Sequence, residues 1–125
     1  MKKKHRLLVY GTLREGGAAN HLMEGCILLR RNISLPGYKM YNTGVYPYIF
    51  PADADSNIIC DLYEVSETVL KVLDDFEGEE YQRQIDTIFN AFIYVIHSLQ
   101  HPLEEVPNGD WLKFAQLYKI NIFPE

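Results

Sequence analysis

Four apolar residues in a row, Leu7 to Tyr10, stop at Gly11 and give way to the polar, glycine-rich stretch Thr12-Leu13-Arg14-Glu15-Gly16-Gly17. Such a run predicts a short buried strand that ends in a turn. Gly11 there supplies either a positive φ or a close backbone approach that a side chain would block. The N–H groups of Gly11, Thr12 and Leu13 then form a candidate anion-binding nest, although the same residues equally suit a plain strand end.

Downstream, Asn20 to Met23 fit a short helical turn closed by Gly25, and Cys26 to Ser34 fit a strand whose outer half is made polar by Arg30-Arg31-Asn32. Pro36-Gly37 mark a turn, Tyr38 to Tyr41 a short strand, and Asn42-Thr43-Gly44 another turn. The aromatic run Tyr46-Pro47-Tyr48-Ile49-Phe50-Pro51 carries two prolines. It therefore suits an edge strand, a cavity wall or a packed loop, and not a central strand. Asp53-Ala54-Asp55-Ser56-Asn57 has the acid spacing of a calcium loop without its glycine or terminal glutamate, so it reads as a hairpin turn.

Asn57 to Val65 alternates as a strand does. Ser66 then stands where an N-cap belongs, before a helix whose Val69, Leu70, Leu73 and Phe76 recur at three and four residues and which Gly78 ends. Gln82 to Phe89 and Phe92 to Ser98 predict two strands joined tightly at Asn90-Ala91. Pro102 and Pro107 bracket a loop, and Asp110 caps a last helix from Trp111 to Tyr118. Strands come first, then one helix, a hairpin and a terminal helix. Without βαβα alternation, this order predicts an α+β fold with a mainly antiparallel or mixed sheet.

The 125 residues suit one domain spanning 1–125, and the 47% hydrophobic fraction excludes a disordered chain. Seventeen acids against twelve bases give a net charge of -5, which argues against a general nucleic-acid partner. The basic cluster Lys2-Lys3-Lys4-His5-Arg6 reads as a solvated terminus, because the apolar run after it is too short for a signal peptide. No stretch approaches the roughly 20 apolar residues of a membrane span, so neither a membrane nor an export route is expected and the cytoplasm is the default.

Cys26 and Cys60 form no Cys-x-x-Cys pair and are expected as buried free thiols. His97 and His101 have i, i+4 spacing, but Ser98 replaces the glutamate of His-Glu-x-x-His and Pro102 follows at once, so no metal site is expected. Neither a Gly-x-Gly-x-x-Gly run nor a Gly-Lys-Ser/Thr ending follows Gly11, which removes dinucleotide and P-loop chemistry. No Gly-x-Ser-x-Gly elbow is present.

Two motifs change this picture when taken together. Tyr10-Gly11-Thr12-Leu13 follows the first strand, and Leu73-Asp74-Asp75-Phe76-Glu77-Gly78, followed by Tyr81-Gln82-Arg83, lies far downstream. The pair resembles the signature of the γ-glutamylcyclotransferase-like family, which includes γ-glutamylamine cyclotransferases. Weaker echoes at Tyr46-Pro47, Leu62-Tyr63-Glu64-Val65 and Gly109-Asp110-Trp111-Leu112 extend the resemblance over nearly the whole chain. One departure is Cys60, where relatives often carry glycine.

The resemblance implies a small mixed or antiparallel β-barrel with flanking helices, no cofactor, and cyclisation of a γ-glutamyl amide to 5-oxoproline with release of an amine. The substrate carries its own nucleophile, the α-amine, so no catalytic Ser or Cys is required. What remains is to move a proton and to stabilise an oxyanion or hold the α-carboxylate.

By resemblance, Glu77 is the general acid/base, and burial at the helix end would raise its pKa into a useful range. The amides of Gly11, Thr12 and Leu13 would supply the oxyanion or carboxylate site, with Tyr10 fixing the strand end. Tyr81 and Arg83 are further substrate-binding candidates, Arg83 being equally able to pair with the acidic helix end. The expected geometry has the Gly11–Leu13 amides and the Glu77 carboxyl opening into one cavity walled by Tyr46, Tyr48 and Tyr81. The partner is a small γ-glutamyl substrate whose leaving amine the sequence does not specify, and the chain is expected as a monomer or weak homodimer. The competing reading is a non-catalytic domain that binds an anionic or amino-acid-like ligand and has no need of Glu77.

Overall fold

The computed structural model describes residues 3–42, 47–96 and 104–118. Eight strands are present among them: β1 (Lys4–Val9), β2 (Ile27–Pro36), β3 (Tyr38–Asn42), β4 (Pro47–Pro51), β5 (Asn57–Ser66), β6 (Gln82–Asp86), β7 (Ala91–Val95) and β8 (Glu104–Glu105). Two α-helices accompany them, α1 (Glu67–Glu77) and α2 (Trp111–Tyr118). A short 3₁₀ turn spans Asn20–Met23, where a helical turn was expected.

β1 is the middle of a five-stranded sheet in the order β2-β5-β1-β7-β6. It runs antiparallel to β5, with Leu8 opposite Leu62, and parallel to β7, with Leu7 opposite Phe92. Both faces of the sheet are covered. Leu8 and Tyr10 join a core with Ile58, Cys60, Ile93, Val95, Trp111 and Phe114, while Leu7 and Val9 join another with Tyr63, Val65, Leu70, Leu73 and Tyr94. Burial on both faces explains why the segment reads as an unbroken apolar run and shows no alternation.

The sheet does not close into a barrel, which corrects that part of the expectation. A second sheet, in the order β4-β3-β8, stands beside the first. Gly37, at φ +95, turns the chain from β2 into β3 between them. Among the described residues one backbone bond, Ile96 N–H to Ile49 O at 3.0 Å, ties the end of β7 to β4. Prolines begin and end β4 and remove two ladder donors, so the strand can extend its own hairpin but cannot complete a closing ladder. β4 is thus an edge strand, one of the roles its prolines predicted.

Other differences have local causes. β2 reaches Pro36 instead of Ser34, and its pairing with β5 slips between Leu28 and Arg30 and again between Arg30 and Ile33. Asn32 takes φ 58 in this bulge, so the polar outer half is a bulge and not a regular strand face. β6 stops at Asp86 because the Asp86 carboxylate accepts the Phe89 N–H at 2.9 Å, and Asn90 takes φ 51. The hairpin loop is therefore residues 87–90, closed by Asp86 opposite Ala91, where a tight turn at Asn90-Ala91 was expected. β8 forms inside the expected loop. The end of the predicted strand at Ser98, the turn at Thr43-Gly44, and both His97 and His101 lie outside the described residues.

The helix boundaries follow the capping signals. Ser66 Oγ accepts the Val69 N–H at 3.2 Å, and Gly78 at φ 83 donates its N–H to Asp74 O. Leu70 and Leu73 are buried, but Phe76 is 44% exposed, so the apolar stripe of α1 runs out one turn before the helix does. Asp110 Oδ1 accepts the Lys113 N–H at 3.2 Å at the start of α2. Among the described residues no helix is long and apolar enough to cross a membrane.

Candidate functional site

Glu77 is the last residue of α1, because Gly78 breaks the helix directly after it. The side chain there is partly buried. No other described residue gives its carboxyl a hydrogen bond or an ion pair, and desolvation raises its pKa from an ordinary 4.5 to about 7. The negative end of the α1 dipole acts in the same direction. Two phenols feel its charge. Tyr10 is pushed well above its ordinary value first by burial and then by Glu77, and Tyr94 is raised by burial and by Asp74, with a smaller contribution from Glu77.

Tyr10 itself is fixed. Its hydroxyl donates to the Tyr94 carbonyl at 2.7 Å, which joins the ends of the two parallel strands. The next residue, Gly11, packs its α-carbon against the Pro47 ring. A Cβ there would lie 2.7 Å from Pro47 Cγ, and its φ is not positive, so close approach is the reason for glycine. The chain then folds on itself: Arg14 N–H donates to Gly11 O at 3.1 Å and Ala19 N–H to Thr12 O at 2.9 Å. Among the described residues the N–H groups of Gly11, Thr12 and Leu13 donate none of the loop's backbone hydrogen bonds. That leaves them as candidate donors to a ligand that brings its own oxygen atoms.

Tyr48 and Tyr81 meet edge to face, with ring centroids 5.2 Å apart. The Tyr81 hydroxyl donates to Pro47 O and the Tyr48 hydroxyl to Glu80 Oε2, both at 2.7 Å. Since Gly11 lies on Pro47, this pair stands near the start of the glycine loop. Tyr46 lies outside the described residues. Arg83 is engaged by the protein. Its guanidinium sits 3.3 Å from Asp74 Oδ2 and 4.6 Å from the Phe92 ring centroid. The structure thus realises the helix-end pairing that the sequence left open. Asp74 also accepts the Tyr94 hydroxyl at 2.7 Å, so one carboxylate links Arg83 to a neighbour of Glu77.

Sequence reasoning missed a buried polar cluster on the far limb of the glycine loop. Arg14 and Asp61 are 4% and 1% exposed. Arg14 Nη2 donates to Asn32 Oδ1 at 2.8 Å and Nη1 to Asp110 Oδ1 at 3.2 Å, while its Nε stands 3.6 Å from Asp61 Oδ1. Asp61 accepts the N–H groups of Glu15 and Asn32, each at 3.0 Å. A signal for Asp61 existed, since an acid inside the apolar strand Ile58-Ile59-Cys60-Asp61-Leu62-Tyr63 has to be paired when buried. Nothing marked Arg14 as its partner.

Among the described residues no group of three or more His, Cys, Asp or Glu side chains is placed to hold a metal ion. Cys60 is buried as expected, whereas Cys26 is only partly so. Burial raises the Cys60 thiol far from any nucleophilic range. An open, polar depression of about 410 Å³ lies elsewhere, lined by Lys39, Asp55, Asn57 and Glu105 among others, and includes none of the predicted site residues.

A family profile described as "Gamma-glutamyl cyclotransferase, AIG2-like" matches residues 7–113, and the chain belongs to that family. It is 32% identical over 111 residues to the gamma-glutamylcyclotransferase family protein ytfP of Citrobacter rodentium, a match that covers 86% of this chain and 95% of that one. The solution structure of protein ytfP from Escherichia coli is similar at 32% identity and TM-score 0.67, with 86% of this chain and 96% of that chain covered. An uncharacterised protein of Pyrococcus horikoshii shares the fold at TM-score 0.77, 22% identity and coverage of 92% and 96%.

Proposed function

We propose that this chain cyclises a γ-glutamyl amide to 5-oxoproline with release of the free amine, and that Glu77 carries the proton. The observation behind this reading is the desolvated Glu77 carboxyl, without a partner among the described residues, whose charge is felt at Tyr10, the residue that leads directly into the amides of Gly11, Thr12 and Leu13. A carboxyl with a pKa near 7 takes a proton and returns one with little energetic penalty in either direction. A binding domain needs no such group.

In the proposed sequence Glu77 takes a proton from the substrate α-ammonium. The amine then attacks the side-chain carbonyl, and a ring C–N bond forms. Negative charge on the carbonyl oxygen is met by N–H groups of Gly11, Thr12 and Leu13. As the intermediate collapses, Glu77 returns that proton to the leaving nitrogen, the bond to the amine breaks, and the ring nitrogen gives up its remaining extra proton to the regenerated carboxylate, which passes it to the departing amine. Holding the substrate folded makes the attack intramolecular, an advantage of order 10⁵ M or more in effective concentration. Tyr48 and Tyr81 form the wall, and Arg83 acts through Asp74 and not on substrate. No added metal or cofactor enters this sequence.

The test is incubation with a panel of γ-glutamyl amines and peptides, with 5-oxoproline and free amine measured. Formation of both in equal amounts from at least one substrate is expected. Glutamate in place of 5-oxoproline would mean hydrolysis and end the cyclisation reading.

A further inference from the structure

We propose that Arg14 is the positioning residue of the donor loop: through Asp61, Asp110 and Asn32 it fixes where the Gly11–Leu13 amides point, and so governs turnover without touching substrate. The effect on turnover rests on the function proposed above; the effect on the loop does not.

Arg14 directly follows the three amides, and its own N–H closes the turn onto Gly11 O. Moving Arg14 therefore rotates the peptide planes that carry the donors. Its side chain is anchored on three separate elements: Asp61 in β5, Asn32 in the β2 bulge and Asp110 at the start of α2. Only a planar fork with several N–H groups reaches three such partners at once, which a lysine ammonium cannot do. Asp61 adds a second clamp one residue on, by accepting the Glu15 N–H.

The loop has no slack to absorb a shift. Gly17 N–H donates to Arg14 O at 2.7 Å, and a Cβ on Gly17 would fall 2.3 Å from Thr12 O. Nor is the cluster arranged for stability alone. Arg14 Nε is buried without a hydrogen-bond partner, and an incompletely satisfied buried ion pair is a poor stabiliser compared with apolar packing. What the cluster does achieve is geometric, tying the loop to the sheet and to α2 at one atom group.

The decisive variant is Arg14→Lys, which keeps the charge and loses the fork. Backbone amide resonances of Gly11, Thr12 and Leu13 are expected to shift or broaden, while those of β1 and β7 stay in place. On a γ-glutamyl amide substrate its kcat is expected to fall about 10²-fold, the cost of roughly 1 Å misplacement, with the acidic limb of the pH profile unmoved. Arg14→Ala, where it folds, is expected to recover part of its turnover with a few millimolar guanidinium and none with methylammonium. Unshifted loop amides in Arg14→Lys overturn the proposal, and so do shifted amides with wild-type kcat. If the wild-type chain turns over no γ-glutamyl amide, the proposed function fails instead, and the amide resonances alone still decide whether Arg14 positions the loop.

Discussion

Glu77 and Asp61 are both acids at least partly withdrawn from solvent, yet they are treated in opposite ways. Asp61 accepts two backbone N–H groups and faces a guanidinium. Glu77 has no such partner among the described residues, and desolvation raises its pKa to about 7. Buried polar groups are nearly always satisfied, so the paired acid serves the architecture, and the acid whose pKa is raised and which has no protein partner among the described residues is the place to look for chemistry. The loop Gly11 to Gly17 is held at one limb by Asp61, and its other limb follows Tyr10, whose phenol feels the Glu77 charge.

The largest test of this contrast removes the unpaired acid. Glu77→Gln is expected to lower kcat by about 10² to 10⁴, the range for loss of a general acid/base, with the fold intact. In the wild-type chain kcat/KM is expected to fall as pH drops through about 7, because only the ionised carboxyl accepts the first proton. A Glu77→Gln variant with near-wild-type kcat on a verified substrate would show that another group moves the proton.

Removing the paired acid should act on stability first. Asp61→Asn takes the negative partner from a buried guanidinium and is expected to cost about 3–5 kcal/mol, the usual penalty for breaking a buried pair. Urea denaturation measures it. A loss below about 1 kcal/mol would mean that Asn32 and Asp110 alone satisfy Arg14.

These two acids also mark what was legible in the sequence. The strand from Leu7, the helix capped by Ser66 and ended by Gly78, and the edge position of β4 follow from local patterns, which is why they could be read in advance. Glu77 stood out through motif and helix end together. The Arg14 cluster stayed hidden because its members come from the loop, β2, β5 and α2, and only pairing in space makes an arginine in a glycine-rich turn a core residue. The closed barrel failed for a similar reason. Local patterns locate strands, but whether two edges meet depends on how many ladder donors the prolines of β4 leave at the seam. The partner of Arg83 was not legible in advance, since strand alternation sets its face and not its partner.

A smaller effect separates the two acids by pH. The Glu77 carboxyl has a folded pKa of about 7 against an ordinary 4.5. Between those values the folded chain retains a proton that the unfolded chain has released, so this group's contribution to stability declines as pH rises from 4.5 to 7 and is level above that. At about 1.4 kcal/mol for each pH unit between the two values, the decline is at most about 3.5 kcal/mol, reduced by whatever solvent reaches the carboxyl. Glu77→Gln lacks it. Relative to wild type the variant should therefore gain stability between pH 4.5 and pH 8, read as diverging urea midpoints. Parallel midpoints across that range would show that the carboxyl is better solvated or paired than its surroundings indicate.

The last prediction concerns the junction between the two regions. Gly11 has no positive φ to defend, so alanine meets no backbone strain there, only the Pro47 ring at 2.7 and 2.9 Å. A proline ring is not the loose end of a side chain, and overpacking of this kind typically costs about 1–3 kcal/mol. Pro47 can yield only by moving the carbonyl that accepts the Tyr81 hydroxyl, and Tyr81 in turn packs on Tyr48. Gly11→Ala is therefore expected to lose stability within that range and to weaken substrate binding through the aromatic wall, raising KM more than it lowers kcat, since Glu77 is untouched. Calorimetry and steady-state kinetics on the same preparation separate the two effects. Unchanged stability together with unchanged KM would mean that the loop moves away from Pro47 at no cost, and that its amides are not held where the proposed reaction needs them.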